Sequence, residues 1–310
     1  MIVTVTLNPS IDRTLYCRGF KAGSINTAEI LKIAPGGKGI NVSRAVQRLS
    51  GKTLSLSIIG GVTGRMIVEM MENEEIAFKY VSIIGESRIC YGIINGEETI
   101  INECGPSIYG DAERQFMELF VNNISINDFI VISGSSICGI IPEFYAKLVQ
   151  RAKKLTGKDG KVMVDLKGDN LRHAISALPD FVKVNRAEIE SYFGHSIHNI
   201  TDLKNMSTEL LQQGICGVIV TDAGNDVFGC TAQQAWIITP PKVKAINTWG
   251  SGDCVAGGFA HGLIKHIDFD EALKLGVACG TANTLVYGAG FIEDMDVNRL
   301  LDMIVLKNIY

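Results

Sequence analysis

Residues 247–259 read NTWGSGDCVAGGF, and this stretch decides how the whole chain is interpreted. Gly250, Ser251 and Gly252 form a small-residue bend before a helix, and such a bend exposes backbone N–H groups that bind anions. Asp253 follows in the first helical turn, where a plain phosphate cradle has no use for a carboxylate. The carboxylate is explained if it takes a proton from a group that attacks a phosphate held by those amides. The pattern therefore favours phosphoryl transfer.

A second glycine-rich stretch, PGGKGINVSRAV at residues 35–46, precedes another predicted helix. Gly37 and Gly39 flank Lys38, and Asn41 lies in the first helical turn. Exposed N–H groups, an ammonium and an amide are suited to binding hydroxyls and anions. On this stretch alone, a tight strand-to-helix turn with Lys38 in solvent explains the residues equally well.

Other polar residues follow or begin predicted strands. Asp12 comes after the first strand, and its carboxylate suits two neighbouring sugar hydroxyls, although a turn or helix cap is the commoner role. Arg88 begins a hairpin and could hold a phosphate in a bidentate fork or be a solvated strand charge. Asn185 and Glu188 could orient a metal-bound phosphate or cap the following helix.

The composition predicts one large α/β domain that binds small molecules. The 310 residues are 46% hydrophobic and include 33 glycines but only 7 prolines, which indicates many tight turns and few linkers. A net charge of −4 without long like-charge runs argues against nucleic acid or an anionic membrane as a partner.

The cysteines and the apolar segments predict a cytoplasmic protein. The eight cysteines form no C-x-x-C pair, and we expect them to be buried and reduced. The first residues, MIVTVTLNPS, are too short an apolar run for a signal peptide. No apolar stretch reaches the length of a membrane span.

Apolar segments alternate with segments of helical periodicity, and this rhythm predicts a mostly parallel sheet covered by helices on both faces. The predicted strands are 1–7, 54–61, 128–135, 161–168, 181–185 and 217–224. The predicted helices are 40–50, 64–73, 111–122, 142–154, 186–193 and 202–213, and residues after 252 read as mostly helical.

Two segments interrupt the rhythm with antiparallel β-structure, and we expect them to form a small lid or dimer surface. They are residues 11–34 and the hairpin at 87–106, whose turn is Asn95-Gly96. The core is then assigned to residues 1–10, 35–86 and 107–310, with the nucleotide site in the last of these ranges.

The chain lacks the common dinucleotide and P-loop fingerprints. Both G-x-G stretches fail to complete G-x-G-x-x-G, because Val42 and Val255 occupy the final position. A P-loop ending at Gly51-Lys52-Thr53 needs glycine at position 46 and finds valine. A nicotinamide-dependent dehydrogenase, which shares the strand and helix alternation, is therefore disfavoured.

With both glycine-rich stretches placed, the chain resembles the ribokinase-like carbohydrate kinases over nearly its whole length. PGGKGINVSR and NTWGSGDCVAGG match two signatures of that family. VTLNPSIDRT near the start is similar to the 1-phosphofructokinase and tagatose-6-phosphate kinase branch. GGVTG at 60–64, NECGP at 102–106 and SGS at 133–135 are also in register.

The resemblance implies a ribokinase-like three-layer αβα core with a mostly parallel sheet and a small antiparallel β lid. It also implies ATP and Mg²⁺ as cofactors, a sugar phosphate as substrate and a homodimer through the lid. It assigns the base to Asp253 and the anion hole to Gly250, Ser251 and Gly252. The residues it assigns to the sugar phosphate are Asp12, Gly37, Lys38, Gly39, Asn41 and Arg88. Those it assigns to the nucleotide are Asn185, Glu188, Thr221, Gly224, Asp226, Gly252, Gly280 and Asn283, with Glu188 indirectly on the metal.

The chain departs from the family pattern at several positions. Ala223 and Asp226 replace two glycines of the usual S-x-G-x-x-G segment, Val184 replaces a proline, and Trp249 replaces a valine before the anion hole. These changes concern the phosphate donor and efficiency more than the reaction type.

The resemblance favours fructose 1-phosphate as the substrate, with fructose 1,6-bisphosphate as the product. Tagatose 6-phosphate, giving tagatose 1,6-bisphosphate, is the main alternative, and fructose 6-phosphate is a third. A protein that binds sugar phosphate without catalysis is a distant alternative, against which the intact Asp253 argues.

Overall fold

A ten-stranded sheet forms the centre of the molecule in the computed structural model, which describes residues 1–309. In spatial order its strands are β14 (Val305–Asn308), β13 (Ala235–Thr239), β12 (Val227–Thr231), β11 (Gly217–Thr221), β10 (Phe181–Asn185), β9 (Lys161–Asp165), β8 (Phe129–Ser133), β1 (Ile2–Thr6), β4 (Thr53–Gly60) and β5 (Phe78–Ile83). All neighbours from β5 across to β11 are parallel. The pairs from β11 to β14 are antiparallel.

Helices cover both faces of this sheet because its central strands are Val- and Ile-rich and buried on both sides. The helices are α1 (Lys38–Arg48), α2 (Gly61–Asn73), α3 (Ala112–Val121), α4 (Glu143–Thr156), α5 (Gly168–Ser176), α6 (Arg186–Phe193), α7 (Ile200–Gln212), α8 (Ser251–Ile264), α9 (Phe269–Asn283) and α10 (Asp294–Leu301). One core cluster includes residues of α3, α4 and α7, and another includes residues of α1, α8, α9 and α10. Among residues 1–309, no helix has both the length and the apolar character to cross a bilayer.

A smaller, four-stranded sheet projects from this core. In spatial order it contains β3 (Glu29–Gly36), β2 (Ser10–Tyr16), β6 (Arg88–Ile94) and β7 (Glu98–Asn102). The outer pairs are antiparallel, whereas the central pair, β2 with β6, is parallel. The predicted hairpin is confirmed as β6 and β7, with Gly96 at φ 82° in its turn.

The predicted α/β class, with helices on both faces and a smaller sheet, is confirmed, as are all six predicted strands and all six predicted helices in its regular part. Helix α1 begins two residues earlier than predicted, at Lys38. The sequence reading missed β5, α5 and the antiparallel strands β12 to β14. Strands β5 and β14 are the two edge strands of the sheet, and their partly exposed, more polar sequences give a weaker apolar signal.

The expectation that the cysteines are buried is wrong for three of the eight. All are free, but Cys104, Cys138 and Cys216 are exposed. Cys104 and Cys138 lie outside helices and strands, and Cys216 directly precedes β11. Composition alone does not distinguish such connecting positions from the core.

The strand order places a crevice along the carboxyl ends of the parallel strands of the large sheet. The chain leaves β1 for β4 on one side and later returns through β8 on the other side. At such a switch point the carboxyl ends of parallel strands open a cleft for ligands. Asp165, Asn185 and Thr221 are the last residues of β9, β10 and β11, and they line up along this edge.

Candidate active site

The N-terminus of α8 provides free backbone donors. Gly250 has φ 84°, and a Cβ there would lie 2.6 Å from the Cβ of Ala289, so only glycine fits. The Ser251 N–H donates to the Thr248 carbonyl at 3.2 Å. Within residues 1–309 the N–H groups of Gly250 and Gly252 have no acceptor. Two of the three predicted anion-hole amides are therefore available to a ligand.

Asp253 lies beside these donors and is only 6% exposed. Its carboxylate accepts one hydrogen bond, 2.8 Å from Nδ2 of Asn41. Burial raises the pKa of Asp253 to about 6; Lys38 and Lys183 lower it, and Asp165 raises it further. A carboxylate with this pKa is charged at neutral pH and can still accept a proton, as a general base must.

Arg44 fixes the Asn41 amide that donates to Asp253. The sequence did not predict a role for Arg44. Its guanidinium, 1% exposed, donates to Oδ1 of Asn41 at 3.0 Å and to the Ala289 carbonyl at 2.8 Å. Glu74 accepts from its Nε at 2.6 Å. The signal available was the i, i+3 spacing of Asn41 and Arg44 on α1, which places the two side chains on one helix face.

A buried network of charges lies next to Asp253. Asp165, fully buried, accepts from Lys38 at 2.6 Å and from Lys183 at 2.7 Å. Burial favours the neutral acid, but the two ammonium groups outweigh it and lower the pKa of Asp165. Burial would lower the pKa of Lys38, but three surrounding carboxylates raise it. A Cβ on Gly252 would lie 3.0 Å from the Lys183 nitrogen, so this ammonium adjoins the anion hole.

Lys183 and Asp165 were also missed by the sequence reading. The available signal for Lys183 was a charge inside the apolar strand FVKVN, where burial without a partner is too costly to occur. Asp165 had a similar signal as the last residue of KVMVD. Sequence alone could not show that the two strands are neighbours and that these charges pair.

Asn185 and Glu188 form a capping box at the start of α6, so the helix-cap interpretation is confirmed. Asn185 Oδ1 accepts from the Glu188 N–H, and Glu188 Oε2 accepts from the Asn185 N–H, both at 2.8 Å. The other oxygen of Glu188 lies 3.8 Å from the Lys38 nitrogen, toward the charge network. Within residues 1–309 no three His, Cys, Asp or Glu side chains are grouped to hold a metal ion.

Asp12 lies within β2, so it is neither in a turn nor at a helix cap. Its carboxylate accepts from the Ser10 hydroxyl at 2.6 Å. Burial raises its pKa to about 6 against the lowering effects of Ser10, Arg88 and Arg44. A Cβ on Gly36 would overlap this carboxylate at 2.0 Å, which explains why glycine stands there.

Arg88 is adjacent to Ser10 across the β2–β6 pair, near Asp12. Its Nε donates to the Asn8 carbonyl at 3.1 Å and one terminal nitrogen donates to the Glu103 carbonyl at 3.3 Å. The side chain is half-buried rather than freely solvated. These bonds fix the guanidinium at the mouth of the crevice.

Gly37 and Gly39 bring the start of α1 against the end of β1. A Cβ on Gly37 would lie 2.6 Å from the Thr6 methyl carbon, and one on Gly39 would lie 2.4 Å from Thr6 Oγ1. Larger residues would push α1 away from the sheet. The glycines therefore place Lys38 and Asn41 at the crevice.

The segment from Thr221 to Asp226 is the turn between β11 and β12. Ala223 has φ 47°, so the chain retains at this position the left-handed backbone that a glycine adopts more easily. Asp226 accepts from the Thr239 hydroxyl at 2.6 Å, and a Cβ on Gly224 would meet nothing within 4 Å. The turn is open on the side of Gly224.

Direct nucleotide contacts by Gly280 and Asn283 do not fit this structure. Asn283 is fully buried, donating to the Gly288 carbonyl at 3.0 Å and accepting from the Gly290 N–H at 3.3 Å. Gly280 is buried as well, and a Cβ there would lie 2.6 Å from Val255. Both residues serve the packing behind the anion hole.

The comparison with protein families decides the class of enzyme. The profile of the pfkB family of carbohydrate kinases matches residues 5–295. The chain belongs to this family. It is therefore a sugar phosphotransferase, and the dehydrogenase alternative is wrong.

Individual relatives of this pfkB kinase agree with that assignment. It is 33% identical over 282 residues to the 1-phosphofructokinase of Bacillus subtilis, covering 91% of this chain and 92% of that protein. Escherichia coli phosphofructokinase-2, solved with substrates and products, superimposes with a TM-score of 0.91 at 26% identity, covering 97% of this chain and 98% of that chain. The same enzyme in complex with fructose 6-phosphate gives a TM-score of 0.89 at 25% identity with the same coverage.

The raised pKa of Asp253 predicts that Asp253→Asn stabilises the kinase at alkaline pH. Its folded pKa, about 6, lies above the ordinary value of 3.8, so the stability that it contributes is present below pH 4 and is lost as the pH rises through 6. Removing the charge should raise the free energy of unfolding at pH 8 by about 3 kcal/mol, less near pH 4. Urea unfolding at both pH values measures this.

The matched control is Asp159→Asn, which changes an exposed carboxylate and should leave the unfolding midpoint nearly unchanged. A stability of Asp253→Asn at pH 8 equal to or below that of the wild type would contradict the interpretation of Asp253 as a strained buried charge.

Proposed function

We propose that this kinase transfers the γ-phosphoryl group of ATP to O6 of fructose 1-phosphate, giving fructose 1,6-bisphosphate. The observation that carries the proposal is a buried carboxylate, Asp253, whose pKa of about 6 suits a base and which lies beside the free amides of Gly250 and Gly252. The 33% identity to the Bacillus subtilis 1-phosphofructokinase supports this choice of acceptor.

In this mechanism Asp253 accepts the proton of the attacking hydroxyl while the free amides of Gly250 and Gly252 stabilise the charge on the transferred group; the third predicted amide, that of Ser251, is already bonded to the Thr248 carbonyl. The amides are fixed by the fold before the substrate binds, so no reorganisation opposes them during the reaction. Lys183 adjoins Gly252 and adds a positive charge at the same place. Asn41, held by Arg44, keeps the carboxylate turned toward the crevice.

The sugar phosphate lies between the smaller sheet and α1. Arg88 binds the phosphate that the substrate already carries, since its guanidinium has one terminal nitrogen without an acceptor within residues 1–309. Asp12 accepts hydrogen bonds from the sugar hydroxyls, and the amide nitrogen of Asn41 donates to them. The stretch Gly37-Lys38-Gly39 borders the ring.

ATP lies along the carboxyl edge of β10 and β11. Asn185 and Glu188 face its phosphates, and Thr221, Gly224 and Asp226 border the nucleoside. Magnesium ordinarily takes substrate phosphates, waters and one or two carboxylates, and Glu188 is the carboxylate that would hold it here, indirectly. Bound Mg²⁺ supplies charge neutralisation on the phosphates.

A coupled assay of ADP release tests the acceptor. We expect the highest kcat/KM with fructose 1-phosphate, compared with tagatose 6-phosphate, fructose 6-phosphate and unphosphorylated fructose.

Arg88→Ala should raise KM for the preferred sugar phosphate about 100-fold, because a charged phosphate contact is lost. Asp253→Asn should abolish turnover while ATP binding persists. Turnover near the wild-type rate in Asp253→Asn would exclude the proposed base, and an unchanged KM in Arg88→Ala would exclude the phosphate contact.

The pH dependence identifies which carboxyl group is the base. Because Asp253 accepts a proton only when ionised, kcat/KM should fall as the pH drops below about 6. Asn41→Leu removes a hydrogen bond that favours the charged form, so the midpoint of this fall should move to higher pH. Asp12 has a similar pKa of about 6, but Asp12→Asn should leave the midpoint in place. A midpoint that disappears in Asp12→Asn and does not move in Asn41→Leu would make Asp12 the titrating group.

We propose further that the kinase is a homodimer formed through the smaller sheet. The β-sheet register places Ile33, Arg13, Tyr91 and Ile101 in one row, on the face opposite Asp12. Ile33 is 39% exposed and Ile101 is 48% exposed, so this face presents apolar surface to solvent. A second copy of the same face would cover it.

The double variant Ile33→Glu, Ile101→Glu should be monomeric, because it places like charges across the proposed interface. Analytical ultracentrifugation should give twice the monomer mass for the wild type and the monomer mass for the variant. Ile267→Glu, at a 40% exposed isoleucine outside the smaller sheet, is the control and should remain dimeric. A monomeric wild type, or a double variant that stays dimeric, would contradict the proposal.

A further inference from the structure

The loop before the anion hole is bonded to the smaller sheet. Glu98, the first residue of β7, accepts from the Thr248 N–H, with its two carboxylate oxygens at 3.2 and 3.4 Å from the nitrogen. The Thr248 hydroxyl donates to the same carboxylate. One acidic side chain of the smaller sheet thus binds both donors of the residue that lies two positions before Gly250.

The next residue of the loop packs on the same sheet. The Trp249 ring lies over Gly92 of β6, since a Cβ at position 92 would be 2.9 Å from ring atom Cε3 and 3.1 Å from Cζ3. The φ of Gly92 lies outside the left-handed region, so the backbone does not require glycine there. Glycine is required there because the Trp249 indole occupies the space that a side chain would need.

On its other side the loop is bonded to the core. Nδ2 of Asn247 donates to the Trp249 carbonyl at 3.2 Å and to the Gly288 carbonyl at 3.1 Å. The Thr248 carbonyl accepts from the Ser251 N–H. Residues 247–250 are therefore held between core and smaller sheet, and the position of the smaller sheet influences where the amides of Gly250 and Gly252 lie.

We infer that Glu98 and Trp249 are positioning residues that couple the smaller sheet to the anion hole. The inference rests on the proposed function, in which the sheet carries the sugar-phosphate residues Asp12 and Arg88 while the loop carries the phosphoryl-binding amides. When these contacts are intact, the acceptor hydroxyl and the amides are aligned. When they are broken, the two halves of the site are out of alignment.

Misalignment has a chemical consequence that can be measured. Water can then replace the sugar as acceptor: its oxygen bonds to the γ-phosphorus as the bond from phosphorus to the ADP oxygen breaks. The proton lost by the water passes to Asp253, and the products are ADP and inorganic phosphate. We therefore expect variants with a broken contact to release more ADP than sugar bisphosphate.

The contact between Trp249 and Gly92 is tested by a double-mutant cycle. Gly92→Ala places a methyl group against the indole and should lower kcat about tenfold in the wild-type background. Trp249→Val makes room for that methyl group, so Gly92→Ala should then change kcat by less than about twofold. Equal loss in both backgrounds, or no loss in either, would overturn the steric contact.

The contact between Glu98 and Thr248 is tested by Glu98→Ala, with Glu97→Ala as the matched control on the neighbouring, exposed residue. Glu98→Ala should lower kcat about tenfold and raise the ratio of ADP to sugar bisphosphate above one. Glu97→Ala should keep the wild-type values. A ratio of one with wild-type kcat in Glu98→Ala would overturn the inference.

A fluorescence measurement provides a readout that does not depend on turnover. Trp236 and Trp249 are the only tryptophans, so Trp236→Phe leaves Trp249 as the single reporter. In this background Glu98→Ala should shift the Trp249 emission to longer wavelength, because the indole leaves Gly92 and meets water. If the wild type fails to phosphorylate any sugar phosphate, the proposed function is wrong, but the emission measurement still tests whether Glu98 holds Trp249 against Gly92. An unchanged Trp249 emission in Glu98→Ala would overturn the inferred coupling.

Discussion

The proposed mechanism depends on one buried carboxylate that must stay charged. Asp253 is 6% exposed, and among residues 1–309 its carboxylate receives a single side-chain hydrogen bond, from Asn41. Burying a charge with so few partners is unfavourable, and the upward shift of its pKa expresses that cost. The surrounding structure compensates with the ammonium groups of Lys38 and Lys183, which lie close enough to favour ionisation. The fold thus maintains a proton acceptor at the point where the backbone donors of α8 are free.

The rest of the site can be understood as support for that carboxylate. Asp165 pairs with both lysines, while Arg44 fixes the amide that faces Asp253. The two supports come from different elements, since Asp165 ends β9 and Arg44 lies on α1. A parallel sheet with its switch point between β1 and β8 is the arrangement that brings them to one edge.

Much of the fold could be predicted from the sequence because its central strands are continuous apolar runs and its helices have clear periodicity. Gly250 to Asp253 and Gly37 to Asn41 could also be predicted as candidate site residues. Small residues next to a charge at the start of a predicted helix form a pattern of consecutive residues, so recognising it requires no knowledge of tertiary contacts. The supporting charges could not, because the pairing of Asp165 with Lys183 depends on which strands are neighbours. The family resemblance assigned Asn283 to the nucleotide, whereas burial commits its amide to the 288–290 loop.

The most direct test of this account is a crystal structure of the kinase with fructose 1-phosphate and a non-hydrolysable ATP analogue. The account predicts the sugar 6-hydroxyl within about 2.6–3.2 Å of the Asp253 carboxylate and the γ-phosphoryl group on the amides of Gly250 and Gly252. A sugar whose hydroxyls all lie beyond reach of Asp253, or a γ-phosphoryl group bound away from the start of α8, would contradict it.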